Sequence, residues 1–316
     1  MERKGTSPTK QREAPLERFG IGTVRVLNWA VDLAVLLLFL TVLLYGVYSV
    51  WDETRVFETG DTKVFETYKP TKEDTLSFGE LQAINPDVYG WLQVYGTPID
   101  YPVVQGKNLH QYLNLDAAGK FTLSGSLFLD PDNARSMTDP VSIIYGHHMD
   151  KGLMFGSLEK FADPTFFEEH PYGDLFFDGQ YHGLEFFAYL IADAYDTTVY
   201  NTGVSPEEFE SYLEVLRGKA QHTRSLDLRA GDRVVLLSTY ASGTSNSRYI
   251  LAARLTDQTF ENTFAEVEST DTLPTKVRHF LKELPTWWWV ALIIALLLLV
   301  GLILYRNKRT GGKTQK

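Results

Sequence analysis

No cysteine occurs among the 316 residues. That one absence excludes disulfides, thiolate metal sites, iron–sulfur clusters and every cysteine nucleophile. Histidine is also sparse, and His110, His147, His148, His170, His182, His222 and His279 show no HExxH or comparable ligand spacing. Neither a metal nor a cofactor is therefore expected. Basic charge is scarce where the chain is longest. The total is −10, but residues 1–50 carry +2, the tail from Trp287 carries +5, and residues 51–286 carry −17. An acidic centre of that size disfavours nucleic acid as a partner, because phosphate contacts need the opposite sign.

Apolar length, by contrast, is present twice. Residues 26–50 (VLNWAVDLAVLLLFLTVLLYGVYSV) hold one charge, Asp32, near their beginning. At about 1.5 Å per helical residue, roughly 20 apolar residues cross a bilayer core. Residues 286–305 (TWWWVALIIALLLLVGLILY) hold no charge and are bordered by Trp287, Trp288, Trp289 and Tyr305 ahead of a basic tail. Aromatic borders and a basic flank read as interface belts and a cytoplasmic end. The layout expected is a cytoplasmic segment (1–25), a transmembrane helix (26–50), a stalk or N-terminal helix (51–76), a folded domain (77–258), a linker (259–285), a second transmembrane helix (286–305) and a cytoplasmic basic tail (306–316). Both termini are then inside and the central domain outside. A cleaved signal peptide fits the first span less well, because SVWDETRVF after it has no small-residue cleavage pattern.

Within the centre, short apolar runs alternate with turn residues: GWLQVYG, TPIDYPVVQG, GSLFLDPDN, VSIIYGHHM, HGLEFFAYLIADAY and GDRVVLLSTYASGTSNSRYILAARL. Such runs predict many strands. Helices are expected at Phe78–Ile84, Leu158–Phe161, Pro164–His170 and Ser205–Gly218, the last opening on Ser-Pro-Glu-Glu as cap and first turn. The sum is a mostly antiparallel barrel with helices at its rim. In RVVLLSTY, strand alternation puts Leu236, Ser238 and Tyr240 on one face and Leu237 and Thr239 on the other. His147 and His148 follow an apolar strand and a glycine, where a side chain can project into a cleft; hydrogen-bonded loop histidines are the commoner outcome of such a pattern. Trp91, Tyr95 and Tyr101 read as packing residues, Glu168 and Glu169 beside His170 as a solvated helix face, and Ser126 and Asn133 carry no signal of their own.

The ordered segments IIYGHHM, LLSTY and SRYILAARL resemble the active-site framework of sortases, membrane-anchored cysteine transpeptidases of Gram-positive bacteria, and specifically of class B. The resemblance extends through INPDVYGWLQVYGTPIDYPVVQG, QYLN, GSLFLD and FADPTFFEEHPYGDLFF, covering about Phe78 to Leu255. It implies a mainly β fold, a sortase-type closed β-barrel with peripheral helices, flanked here by two transmembrane helices. By motif position it implies His147 as the acid/base, Arg248 as the oxyanion stabiliser and Tyr240 at the position of the nucleophilic cysteine, with Ser238 and Thr239 shaping the substrate groove. The family reaction cuts a sorting signal on a surface protein or pilin, forms a thioacyl enzyme and passes the acyl group to an amine on a peptidoglycan precursor or a pilin lysine.

The departure falls on the attacking residue. Cysteine, with an ordinary pKa near 8.5, supplies thiolate near neutrality; tyrosine, near 10, supplies little phenolate, and its oxygen lies several bonds further from the backbone. Two expectations follow: a class B-like sortase whose nucleophile is an oxygen of Tyr240, Ser238 or Ser242, or a catalytically inactive adaptor that binds substrates for an active partner. The second span resembles pilus-building class C enzymes, whereas residues 52–76 lack their Asp-Pro-aromatic lid. That combination suggests a class B-like protein in pilus assembly.

Overall fold

The computed structural model describes residues 15–60, 62–71, 75–240 and 246–264. The expected second span and basic tail lie outside the described residues. One long helix, α1, runs Pro15–Gly60, and its segment Leu27–Ser49 is the one stretch among the described residues long and apolar enough to cross a membrane. No proline interrupts residues 16–60, so the helix continues through residues 51–60 instead of ending at the apolar border. The other helices are α2 (Leu76–Ile84), α3 (Pro164–Glu169) and α4 (Phe209–Lys219). Helix α3 begins where its sequence dictates, with Pro164 at the first position and the Asp163 carboxylate accepting from the amides of Thr165 and Phe166 at 2.7 and 3.2 Å.

Two expected helices differ in detail. Residues 156–162, which include the predicted Leu158–Phe161, wind as a 3-10 helix. The predicted start at Ser205 is corrected to Phe209. Residues 206–208 form a turn in which the Ser205 amide donates to the Glu208 carboxylate at 3.2 Å and the Glu208 amide to the Ser205 carbonyl at 3.0 Å. Ser205 is thus absorbed by a turn and caps no helix.

Nine strands form the sheet: β1 (Val88–Val94), β2 (Asp100–Val104), β3 (Leu127–Leu129), β4 (Val141–His147), β5 (Tyr172–Phe177), β6 (Gln180–Asp193), β7 (Ala220–Thr223), β8 (Arg233–Tyr240) and β9 (Ser247–Thr256). Their order is β5-β1-β2-β3-β4-β8-β9-β6, and β6 pairs back onto β5, closing an eight-stranded barrel with β7 added outside on β6. Most pairings are antiparallel, as the sequence suggests, but β2–β3 and β4–β8 are parallel. Closure leaves β7 as the exposed margin in place of a long open edge. The β5–β6 hairpin turns through Asp178 and Gly179, both at positive φ (50° and 76°), the geometry that matches the natural twist of paired strands.

Alternation along each strand feeds two apolar layers. One holds Leu92, Val103, Leu129, Ile144, Leu175, Phe186, Leu237 and Leu251, all fully buried, together with Leu158, Phe161 and Phe167. The other lies on the opposite face, where Trp91, Ile143, Leu236 and Ile250 pack with Phe78 and Leu81 of α2 and Phe209, Leu213 and Leu216 of α4. Trp91, Tyr95 and Tyr101 are core residues, at 1%, 5% and 5% exposure. Their polar tips are engaged: Trp91 Nε1 donates to Asp100 at 2.6 Å, Tyr95 to Asp174 at 2.9 Å, and Tyr101 to the Gly60 carbonyl at 2.9 Å.

Candidate active site

The site is assembled at one end of the barrel, where β4 and β8 finish and β9 begins. In the parallel β4–β8 pair the register runs Val141↔Val234 to His147↔Tyr240. The antiparallel β8–β9 register runs to Ser238↔Ile250, so Arg248 lies two residues before the last paired residue of β9, just beyond the ladder's end. Strands are about 4.8 Å apart, so the backbones of His147 and Arg248 stand roughly 10 Å from one another on either side of position 240. Register partners share a face of the sheet. By alternation all three positions fall on the face that carries Ile143, Leu236 and Ile250.

His147 lies at the last residue of β4, half-buried. Its Nε2 lies 2.8 Å from the Leu113 carbonyl. A carbonyl only accepts, so Nε2 carries the proton in this arrangement. Gly125, at φ +61°, lies directly beside the ring: a Cβ there would stand 3.0 Å from His147 Cδ2 and 2.6 and 2.7 Å from the carbonyls of Leu113 and Tyr112. The loop that supplies the acceptor and the glycine that leaves room for the ring are therefore one unit.

Arg248 enters β9 opposite Ala192 of β6. Its charge bears on Tyr200, which lies on the connection after β6. Burial pushes the Tyr200 hydroxyl up to about 12, while a hydrogen bond with Ser238 and the Arg248 guanidinium pull the other way. Tyr200 and Ser238 are joined oxygen to oxygen at 2.9 Å, and the Tyr200 ring stacks on Tyr145 at 6.3 Å. Tyr145 donates to the buried Asp130 at 3.0 Å. Burial, with Asp130 second, holds the Tyr145 hydroxyl far above the ordinary tyrosine range. Tyr145 and Tyr200 thus form a stacked pair whose hydroxyls have separate partners, Asp130 and Ser238.

The groove residues expected from the motif sit deeper than a lining position. Ser238 is fully buried on Tyr200, and Thr239 is 1% exposed with its hydroxyl oxygen accepting the Tyr249 amide at 2.9 Å. The two tie β8 down from opposite faces, Ser238 to Tyr200 and Thr239 to the start of β9. A serine nucleophile at Ser238 has no access to a peptide in this arrangement, and Ser242 lies outside the described residues. His148, next to His147, turns the other way, onto Glu159 at 3.0 Å. His170 is sandwiched between Phe166 and Phe264, at 3.7 and 4.7 Å between centroids. A polar hollow around Arg233, Arg254 and Asp257 lies at the opposite end of β8 and β9, about 23 Å along the strand from Tyr240. Sequence reasoning missed Leu113, Gly125 and Tyr200, whose roles come from a backbone carbonyl, a backbone angle and a loop.

Comparison with known proteins fits this geometry. The chain is 30% identical over 182 residues to Sortase B of Staphylococcus aureus, spanning 56% of this chain and 74% of that one. A crystal structure of a Streptococcus pyogenes class B sortase involved in pilus biogenesis matches with 36% identity and a TM-score of 0.53, over 56% of this chain and 97% of that one. A Staphylococcus aureus sortase B–substrate complex matches with 28% identity and a TM-score of 0.54, over 58% and 85%. No family model matches the chain. Closed barrel, strand order and these relatives together define a sortase fold. The chain belongs to the class B sortase family.

Proposed function

We propose that this protein binds sorting-signal peptides of surface proteins or pilins in the groove over β4, β8 and β9, and serves as a membrane-anchored adaptor that hands them to an active sortase. One observation supports the reading: His147 and Tyr240 are paired at the ends of β4 and β8, Arg248 stands near the start of the neighbouring β9, and the chain has no thiol to stand between them. His147 and Arg248 keep the groove's polar character, and Arg248 provides a positive charge for a peptide carbonyl. The family's thioacyl step needs a sulfur, and with Ser238 buried no serine on β8 replaces it. In this reading α1 is the anchor, residues 77–258 are the binding domain, and residues 286–305 form a second span that brings the basic tail back to the cytoplasm. An amine acceptor, on a peptidoglycan precursor or a pilin lysine, belongs to the partner's reaction.

The test compares the given chain with Tyr240→Cys against a pool of sorting-signal peptides, reading binding by fluorescence polarisation and covalent addition by mass spectrometry. Binding to both forms with an acyl adduct on Tyr240→Cys alone is the expected result. Absence of binding to either form sinks the adaptor reading. An adduct on the given chain replaces it with an oxygen-nucleophile sortase, and the mapped position names the nucleophile.

A further inference from the structure

The anchor helix ends at the flank of the candidate site. Beyond Ser49, the last residue of the apolar span, α1 continues through residues 50–60, about 16 Å at 1.5 Å per residue. Its end is fixed to the barrel: the Gly60 carbonyl accepts from Tyr101, whose oxygen in turn accepts the Met154 amide at 3.0 Å. A Cβ on Gly60 would lie 3.3 Å from the Met149 sulfur and 3.4 Å from Ser124 Cβ. Met149 follows His147 by two residues, and Ser124 precedes the glycine against His147's ring.

Around this foot the surface changes character. Phe121 and Leu123 are 75% and 55% exposed, while Thr122 and Ser124 between and after them are 5% and 0%. The outward row is held by backbone, since the Thr122 amide donates to the Asn114 carbonyl at 3.0 Å and Phe121 pairs with Leu115. Val64, four residues past the helix end, is 47% exposed. Each apolar site has an exposed lysine beside it, Lys63 before Val64 and Lys120 before Phe121. Residues 105–126 carry two lysines against one aspartate inside a region whose total is −17.

We propose that Val64, Phe121 and Leu123, with Lys63 and Lys120, rest in the headgroup layer of the membrane, so that the groove beside His147 opens along the lipid surface. The inference rests on α1 spanning the bilayer. Apolar side chains beside lysines suit that layer, because rings enter the acyl boundary while ammonium groups reach anionic headgroups. Because the foot at Gly60 stands about 16 Å past the apolar border, contact with the headgroups requires the 115–123 loop to lie on the membrane side of Gly60. A groove held there meets peptides that are themselves tethered to the membrane.

The cysteine-free chain permits single spin labels with no background. The full chain is placed in nanodiscs containing one-third phosphatidylglycerol, with labels on Phe121→Cys, Leu123→Cys, Phe39→Cys in the span and Tyr195→Cys on a distant loop. Collision with oxygen, which partitions into lipid, is compared with collision with a water-soluble nickel chelate. Positions 121 and 123 are expected to show an oxygen-to-nickel ratio between those of 39 and 195, and to fall toward 195 when Lys120→Glu is added. Ratios at 121 and 123 equal to that at 195, with 39 in lipid, overturn the rim and leave the anchor standing. A water-like ratio at 39 removes the anchor reading and the rim with it. Shielding of 121 by sorting-signal peptide without any lipid signal also overturns the rim, and makes this face a peptide contact.

Discussion

His147 and Tyr240 are Cα partners at the last step of the parallel β4–β8 pair. Parallel neighbours in register present the same face, so position 240 stands next to the imidazole-bearing end of β4. The His147 ring is held by the Leu113 carbonyl at 2.8 Å, and His147→Ala tests its proposed acid–base role.

In a Tyr240→Cys background, adding His147→Ala should slow acyl-adduct formation by about 10²–10⁴-fold, the ordinary contribution of a positioned acid–base group. Stopped-time mass spectrometry measures the rate. Equal rates with and without the imidazole would show that His147 has no part in the transfer.

Gly125 carries the next expectation. At φ +61° a side chain is strained, and its Cβ would press on the carbonyls of Tyr112 and Leu113 at 2.7 and 2.6 Å and on His147 Cδ2 at 3.0 Å. Gly125→Ala should cost about 1–3 kcal/mol of unfolding free energy and shift the His147 ring away from Leu113. Urea unfolding gives the first quantity and the histidine side-chain NMR signals the second; unmoved His147 signals would mean that the loop does not set the ring.

Part of this site is legible in the sequence and part is not. Alternation in RVVLLSTY separates Leu236 and Ser238 from Leu237 and Thr239, and the two apolar layers divide along that line. Asp163 and Pro164 announce α3 because both act locally, one through its carboxylate and one through its fixed φ. Ser205 announces a helix that begins four residues later, since the same local hydrogen bonds also stabilise a turn. The Leu113 acceptor has no sequence signature, because any residue but its backbone carbonyl is irrelevant and it lies 34 positions from His147. Tyr200 reaches Ser238 across 38 positions, a contact that depends on β9 pairing with both β6 and β8.

Ser238 and Tyr200 should behave as a coupled pair. Each hydroxyl is the other's partner at 2.9 Å under a buried strand, so Ser238→Ala and Tyr200→Phe should each destabilise the domain by about 1 kcal/mol. The double variant should lose less than the sum of the two, with a coupling of roughly 0.5–1.5 kcal/mol. Denaturant titration of the four proteins measures it. Additive losses would place the two oxygens in separate networks.

Asp130 sets a pH dependence of known sign. It is buried beneath Tyr145, and burial raises its carboxyl above the ordinary 3.8, against the opposing hydrogen bonds from the Asp132 amide and the Tyr145 hydroxyl. A raised value means that the native state holds this proton to higher pH than the unfolded chain does. The stability Asp130 contributes is therefore complete below about 3.8 and is lost as pH rises through the raised value. Asp130→Asn keeps groups that can meet the Asp132 amide and the Tyr145 hydroxyl but has no charge to develop. Relative to the parent, the variant should gain unfolding free energy as pH rises from about 3.8 through the raised value, where the parent comes to carry a buried carboxylate. Urea titrations of both proteins across that range provide the comparison. A difference that stays flat, or that moves in the parent's favour, would show that Asp130 is ionised without cost and that Tyr145 is held by a charge-assisted bond to a carboxylate the fold is built to keep.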